Sequence, residues 1–338
     1  MIGQEKTKVS LVSATGSFID DLTKYIVSGT CNRKRNTTTT FNGIFSSDIS
    51  SWSTLRKVNT WSTFIRVERD GRDQWEGPVT TAEDGEQFSL VDSDLSAYWS
   101  RRETKSSTHT NSDVATIASA LLTQGFKKRE PGLPIINSSI VGKLTSKTYS
   151  DADSTMIMDN IKGLPGLEWY LFGRTVYLFG TPDYPKSSFK LTDESWNPLP
   201  TVEKSGTTYA NRVVVKGNRV TGIAEAPVAE INYDGGVLCR RFDRPELETQ
   251  SAVDAEAEKR LAQCRDALYI NAQSFSILKP DVNIDLANVL PGSYVDVDHY
   301  VGAIPVNRQM RINEVRLDCV TSEVSIALEP LGVTEGVN

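Results

Sequence analysis

Apolar and polar positions alternate along most of this chain with a period of two rather than 3.6, the pattern of half-buried strands. Residues 64–79, FIRVERDGRDQWEGPV, show it around one turn signal, Asp70-Gly71. Two registers compete there. A two-residue loop sets Val67 against Gln74 and Ile65 against Glu76, mixing apolar and polar groups on one face. A three-residue loop, Arg69-Asp70-Gly71, needs Gly71 in the left-handed conformation of a bulged turn. It sets Ile65 against Trp75 and Trp61 against Val79, with Val67 on the same face. It also sets Glu68 against Arg72 and Arg66 against Gln74. Cross-strand pairs contribute about 0.2–1 kcal/mol each, so the pattern predicts the three-residue loop. A lone hairpin is marginal in water, and its apolar face needs a cover.

Short strands are expected at 24–28, 38–45, 61–68, 72–80 and 87–92, so residues 1–107 read as mostly β. The polar run RRETKSSTHTNS (101–112) reads as a linker. The style then changes. Asp113 is placed to cap a helix whose stripe is Val114, Ile117, Ala118, Leu121 and Leu122, with Gly125 as its stop. A second helix is expected at 153–161. It leads into LEWYLFGRTVYLFG, a hairpin with its loop at Gly173-Arg174. That loop pairs Leu171 with Val176, Trp169 with Leu178, and Tyr170 with Tyr177. Both of its faces are apolar, so both should be covered.

Residues 201–338 return to alternation at 209–216 and 293–299. A closing hairpin is expected to register Cys319 with Val324, Leu317 with Ile326 and Val315 with Leu328, with Arg316, Asp318 and Ser325 on the other face. One long helix, 250–269, interrupts this part. Thr249 can cap it, and Val253, Ala257, Leu261, Cys264 and Leu268 share one side. The fold class expected is mainly β with an α+β insert. Its parts are 1–107 as a first β-barrel, 108–200 as an α+β module, and 201–338 as a second β-barrel carrying the helix.

Bulk numbers change this picture little. The 338 residues fit two or three domains at about 150 residues each. A net charge of −6 argues against a dedicated nucleic-acid binder, which usually carries a basic domain. No stretch approaches the ~20 apolar residues of a membrane span. MIGQEKTKVS lacks the apolar centre of a signal peptide, so folding in a cytosol is expected. Cys31, Cys239, Cys264 and Cys319 are scattered and read as free thiols.

Chemical motifs mostly fail. Two histidines exist, His109 in the polar run and His299 at the end of YVDVDH, and no GxSxG is present. Asp296 and Asp298 share one strand face ~7 Å apart, with Val295, Val297 and His299 on the other; a solvated face explains them. DVNIDLAN (281–288) has Leu286 where a calcium loop turns on Gly. VGKL (141–144) lacks the first Gly and the Ser/Thr of a phosphate-binding loop. The basic runs are CNRKRN (31–36) and KKRE (127–130). Arg33, Lys34 and Arg35 could meet phosphate, though a solvated loop explains them too. No catalytic residue, cofactor or metal ligand is implied, so the expectation is a surface-building protein rather than an enzyme.

The order of features resembles the tail hub of long-tailed bacteriophages, also described as a minor tail or baseplate hub protein. The resemblance rests on FNGIFSSDISSWSTLRKVNTWSTFIRVERDGRDQWEGPVTT followed by FSLVDSDLSAYWSRR. Val67, Asp70, Gly71, Gly77, Val79, Asp94, Tyr98 and Arg101 occupy the positions of the family's turn and closing segment. LPGSYVDVD, RINEVRLD and EVSIALEPLG resemble its final strands. Asp70, Gly71, Trp75 and Gly77 are the candidate structural residues of the turn and barrel, and Arg33, Lys34 and Arg35 the candidate phosphate or lumen contacts.

The resemblance implies two similar β-barrels per chain and a homotrimeric ring whose six barrels imitate sixfold symmetry. It implies partners: a distal tail or tail tube protein above, tip or fibre proteins below, and the tape-measure protein and viral DNA passing through. It implies a place at the virion tail tip after assembly in the host cytoplasm. The chain stops at Asn338, directly after its closing strand, so no cell-wall hydrolase activity is carried over. Two other readings stand beside it. One is a receptor- or carbohydrate-binding tail protein using Trp52, Trp99 or Trp196 in shallow grooves; the other is a glycosidase using a carboxylate pair.

Overall fold

The computed structural model describes residues 7–46, 49–69, 71–124, 135–150, 156–180, 186–204, 206, 209–245, 247–265, 268–270, 276–278, 284–300 and 305–330. The first region supplies β1 (Lys8–Ser13), β2 (Phe18–Asp21), β3 (Ile26–Lys34), β4 (Thr40–Phe45), β5 (Thr63–Arg69), β6 (Arg72–Asp84) and β7 (Phe88–Ser93), with short helices α1 (Ile49–Leu55) and α2 (Ser96–Trp99). The middle supplies β8 (Ser107–Asp113), α3 (Val114–Gln124), β9 (Ile135–Ser138), β10 (Leu144–Tyr149), α4 (Ile157–Lys162), β11 (Leu167–Phe172), β12 (Thr175–Gly180) and β13 (Lys186–Thr192). Next come β14 (Val202–Lys204), β15 (Arg212–Lys216), β16 (Thr221–Glu225), α5 (Val228–Tyr233), β17 (Cys239–Asp243) and α6 (Gln250–Cys264). The chain closes with β18 (Leu268–Ile270), β19 (Ser276–Ile277), β20 (Tyr294–His299), β21 (Val306–Asp318) and β22 (Val324–Pro330). It is mainly β, as the alternation predicts.

One large sheet runs β13-β20-β21-β3-β4-β7-β6-β5-β1-β2, with β22 and β19 branching from β21. It therefore joins the two ends of the chain. Strand β3 lies antiparallel to β21, with Cys31 opposite Leu317 and Arg33 opposite Val315. The main core follows the same seam, packing Val9, Phe41 and Ile65 in one cluster with Val295, Met310 and Ile326.

The hairpin at 64–79 takes a different register from the expected one. Arg69 pairs with Arg72, leaving only positions 70 and 71 between the strands. Gly71 has φ +69°; Asp70 lies outside the described residues. The extra residue sits instead at Gln74, where the register slips, so that Val67 faces Trp75 and Ile65 faces Gly77. This bulge returns Trp75 to the apolar face. It also brings Glu76 opposite Arg66, whose Nε donates to its carboxylate at 2.7 Å. A charged pair replaces the expected Arg66–Gln74 contact. Trp61 still bonds Val79, N–H to carbonyl at 2.8 Å.

The run expected as a linker contains β8, which pairs with β10. Its Ser and Thr residues suit an exposed ribbon. Asp113 caps α3 as expected, its Oδ1 accepting the Ala115 N–H at 2.9 Å. The whole α3 stripe is buried, while Gly125 lies outside the described residues. The second helix begins at Ile157.

The β11–β12 hairpin has the expected register. Trp169, Leu171, Val176 and Leu178 pack beneath α3 and α4, in a core shared with Val12, Phe64 and Trp99. On its other face Tyr170 stacks on Tyr177 at 4.8 Å, against Leu290 and Tyr294.

Strands β16-β15-β17 form a small sheet of their own. Helix α6 covers one face with Val253, Ala257, Leu261 and Cys264. It ends at Cys264, not at 269; Leu268 belongs to β18, which pairs with β14. In the closing hairpin Leu317 faces Val324 and Val315 faces Ile326, two residues from the expected register. The Asp318 carboxylate accepts N–H groups from Val320 and Thr321 at 2.8 and 2.7 Å, which lengthens the turn. A slip of two leaves every side chain on its expected face.

Candidate functional site

In CNRKRN, the period of two decides the fate of each basic residue. Arg33 and Arg35 face inward with Cys31, and Lys34 turns outward. Arg35 is 1% exposed. Its Nη1 donates to Glu168 at 3.0 Å and its Nη2 to Glu329 at 2.6 Å. Arg311 donates to the same Glu168 oxygen at 2.6 Å and from Nε to the Gly292 carbonyl at 3.1 Å. Two cations and two carboxylates thus meet where the first region, the middle module and the last strands touch. Burial, followed by the like charge of Arg35, lowers the Arg311 pKa.

Among the described residues no carboxylate pairs with Arg33. Its Nη2 donates to the Val289 carbonyl at 3.3 Å, and its guanidinium lies 4.6 Å from the Phe172 ring centre. Burial lowers its pKa to about 10. Arg33 is 4% exposed and Arg35 is 1% exposed, so neither is the solvated loop residue that the basic run suggests. Both are interior residues, a correction that follows from strand alternation. Lys34 reaches the surface, 3.8 Å from Glu314.

Arg35 and Asn36 also line a cleft of about 760 Å³. One wall is the loop 161–167 of the middle module with Trp169; the other is Arg244, Leu247 and the Glu256–Lys259 turn of α6. Glu256 receives hydrogen bonds from Arg244 at 3.4 Å and Arg260 at 2.8 Å. Lysines 162 and 259 are exposed at opposite sides.

The residues that carried the family resemblance lie inside the first region. Trp75 donates from Nε1 to Thr39 Oγ1 at 3.1 Å. A Cβ on Gly77 would lie 2.0 Å from the Ser93 carbonyl oxygen, so only glycine fits. Asp94 holds Thr39 through its N–H and hydroxyl, both at 2.6 Å, and Ser96 through its N–H at 2.9 Å. Burial raises the Asp94 pKa against the pull of these bonds. Tyr98 donates to the Trp61 carbonyl at 2.5 Å, and Arg101 lies 4.5 Å over the Trp61 ring. Glu76, buried, joins Arg66 to Arg174 at the tip of the β11–β12 hairpin.

The remaining candidates disperse. Asp298 is bound by Lys190 and Asp296 by Gln309. His299 is buried with Nδ1 2.5 Å from Asp193, and His109 lies opposite Lys147 on the ribbon. Among the described residues no three His, Cys, Asp or Glu side chains gather as a metal site. Trp99 and Trp196 are buried core residues, which removes two of the three expected groove aromatics; Trp52 is 45% exposed. The surface shows apolar groups elsewhere. Helix α5 buries no residue and exposes Val228 and Tyr233, next to Val237 and Leu238. Opposite α6, the small sheet presents Ile223, 51% exposed.

Glu168, Arg311 and Glu329 are functional residues that the motif reading does not single out. The signal lies in charges set inside largely apolar strands, as in LEWYLF, QMRINEV and IALEP. Such a charge must find a partner across the fold.

No protein-family model and no curated protein matches this chain. Solved structures do. The 43 kDa tail protein of prophage MuSo2 from Shewanella oneidensis superposes with a TM-score of 0.66 at 9% identity, covering 95% of this chain and 97% of that one. A tail protein from Neisseria meningitidis MC58 gives 0.65 at 13% identity, covering 97% and 98%. Prophage tail protein gp18 from Listeria monocytogenes EGD-e gives 0.55 at 10% identity, covering 95% and 94%. This chain has the fold of these prophage tail proteins over nearly its whole length.

Proposed function

We propose that this chain is a structural hub of a long-tailed bacteriophage tail. Three copies would close a ring at the virion tail tip. That ring would connect a sixfold tail tube or distal tail protein to a threefold tip or fibre, and let tape-measure protein and viral DNA pass. In this reading residues 1–107 and 201–338 are the two β-rich hub regions, and 108–200 is the module between them. The observation that carries it is the fold shared end to end with prophage tail proteins. Two features of the surface support assembly. No residue of helix α5 is fully buried among the described residues, and the small β16-β15-β17 sheet is covered by α6 on one face. Edges and bare faces of this kind pair with other chains, and a closed ring uses them without runaway growth. The net charge of −6 suits a conduit in which DNA must slide.

The test is mass in solution and with partners. A particle of three times the 37.3 kDa chain mass, alone or with a sixfold tail protein, supports the reading. A monomer indifferent to tail proteins rejects it. Specific binding on a glycan array, lost when Trp52 is replaced, would favour a receptor-binding role instead.

A further inference from the structure

Two strand edges of this chain carry opposite charge. Strand β5 pairs with β6 only as far as Pro78, and Trp61 bonds it at Val79. Beyond that point β6 keeps β7 on one side and, among the described residues, no strand on the other. Thr81, Ala82, Glu83 and Asp84 are all exposed there, as are Gly85 and Glu86 in the turn that follows. The second edge is β17. It pairs with β15 along its whole length and, among the described residues, with no other strand. Its Arg241 is exposed, while Arg240 is half-buried with its guanidinium 5.4 Å from the Phe242 ring centre. Strand β17 is 5 residues long, and the open stretch of β6, 80–84, has the same length.

We propose that the open edge of β6 in one copy pairs with β17 of a second copy, so that the large sheet of one chain continues into the small sheet of its neighbour. The inference rests on the ring reading above and names the contact that closes it. Charge selects the partners. Two acidic edges repel each other, as do two basic ones, so like edges stay apart. Unlike edges attract, which makes the contact head-to-tail, the kind that closes into a ring with every copy using one edge of each sort. The same charges set the direction. Run antiparallel, 80–84 against 243–239 places Glu83 opposite Arg240, Ala82 opposite Arg241 and Asp84 opposite Cys239. Asp243 then falls at Thr80, away from both acids. Run parallel, the same span sets Asp84 directly against Asp243, a destabilising like-charge pair. Antiparallel pairing also gives the bare N–H and C=O groups of both edges partners, as in other cases of strand addition.

The test uses the full-length chain and its own thiol. Cys239 is exposed, whereas Cys31, Cys264 and Cys319 are buried. Native mass spectrometry first reads the oligomer formed by D84C. Copper phenanthroline in air then oxidises it: two thiols become one disulfide, and oxygen, reduced to water, takes their hydrogens. Peptide mapping should find position 84 of one chain joined to Cys239 of another, and D84C/C239S should lose that link. T80C, which would meet Cys239 only in the parallel arrangement, should give none. A trimer without the 84–239 link, or one linked through T80C instead, overturns the contact and leaves the ring reading standing. A monomer overturns both. Charge exchange provides a second measurement. E83K/D84K should weaken trimer assembly about 10-fold or more, and adding R240E/R241E to it should restore assembly. Trimer formation by E83K/D84K equal to that of wild type counts against the proposal.

Discussion

Arg35 donates to Glu329 at 2.6 Å across 294 positions of sequence. This bond, with those to Glu168 and from Arg311, pins the turn after β3 to β11, β21 and β22 at one buried point. Attraction within such a cluster roughly offsets the cost of removing four charges from water, so the intact cluster adds little net stability. Removing one member is different, because it strands a buried charge.

Glu168→Ala leaves Arg35 and Arg311 facing one carboxylate. Loss of a single partner from a buried pair costs about 3–5 kcal/mol. Urea unfolding followed by tryptophan fluorescence should show a fall in the midpoint of that size. A change under about 1 kcal/mol would mean the joint is held by apolar packing alone.

Arg33 and Arg35 are two residues apart and should behave oppositely. Arg33 has its Nη1 buried without a hydrogen-bond partner among the described residues and lies against Phe172. Arg33→Met keeps much of the volume and removes a desolvated cation, so stability should stay within about 1 kcal/mol of wild type or rise. Arg35→Met should cost about 3–5 kcal/mol, since Glu168 and Glu329 lose a shared partner. Equal losses from the two substitutions would contradict this account.

Gly77 and Gly71 separate packing from backbone strain. A methyl at Gly77 meets the Ser93 carbonyl oxygen at 2.0 Å, which the sheet can relieve only by moving β6 away. Gly77→Ala should cost more than about 3 kcal/mol or abolish folding. Gly71 has open space around it but φ +69°. Gly71→Ala should cost about 1–2 kcal/mol, the usual penalty of the left-handed conformation. Circular dichroism melts of the pair would reveal the difference; equal melting temperatures would be inconsistent with it.

The sequence made legible what depends on local period. The β11–β12 hairpin was readable to the residue, because Gly173-Arg174 fixes its loop and both strands are apolar throughout. The α3 stripe was readable for the same reason. The hairpin at 64–79 was not, since a loop of three and a bulge at Gln74 restore alternation equally well, and Glu76 beside the bulge pairs with Arg174, 98 positions away. The basic run at 31–36 misled because adjacent charges imply solvent. Alternation turned two of them inward, and their partners lie far along the chain. Long-range charge pairing has no local period, so the ion cluster and the cleft above it emerge only in three dimensions.

Asp92 sets a pH dependence that the isosteric amide should remove. It is fully buried between β4 and β6, opposite Phe41 and Val79, and neither carboxylate oxygen has a hydrogen-bond partner among the described residues. Burial pushes its pKa well above the usual carboxylate value. The folded chain therefore holds a proton on Asp92 that the unfolded chain releases above about pH 4. Between that pH and the raised native pKa, unfolding releases a proton, so stability falls as pH rises. Above the native pKa both states are ionised and the full penalty persists. Asp92→Asn keeps the shape and abolishes the titration. At pH 7 it should be more stable than wild type by about 1–3 kcal/mol, and the gap should close as pH falls toward 4. Unfolding both proteins in urea from pH 4 to pH 8 measures the difference directly, and a gap that stays constant over that range would show that Asp92 is already ionised in the fold.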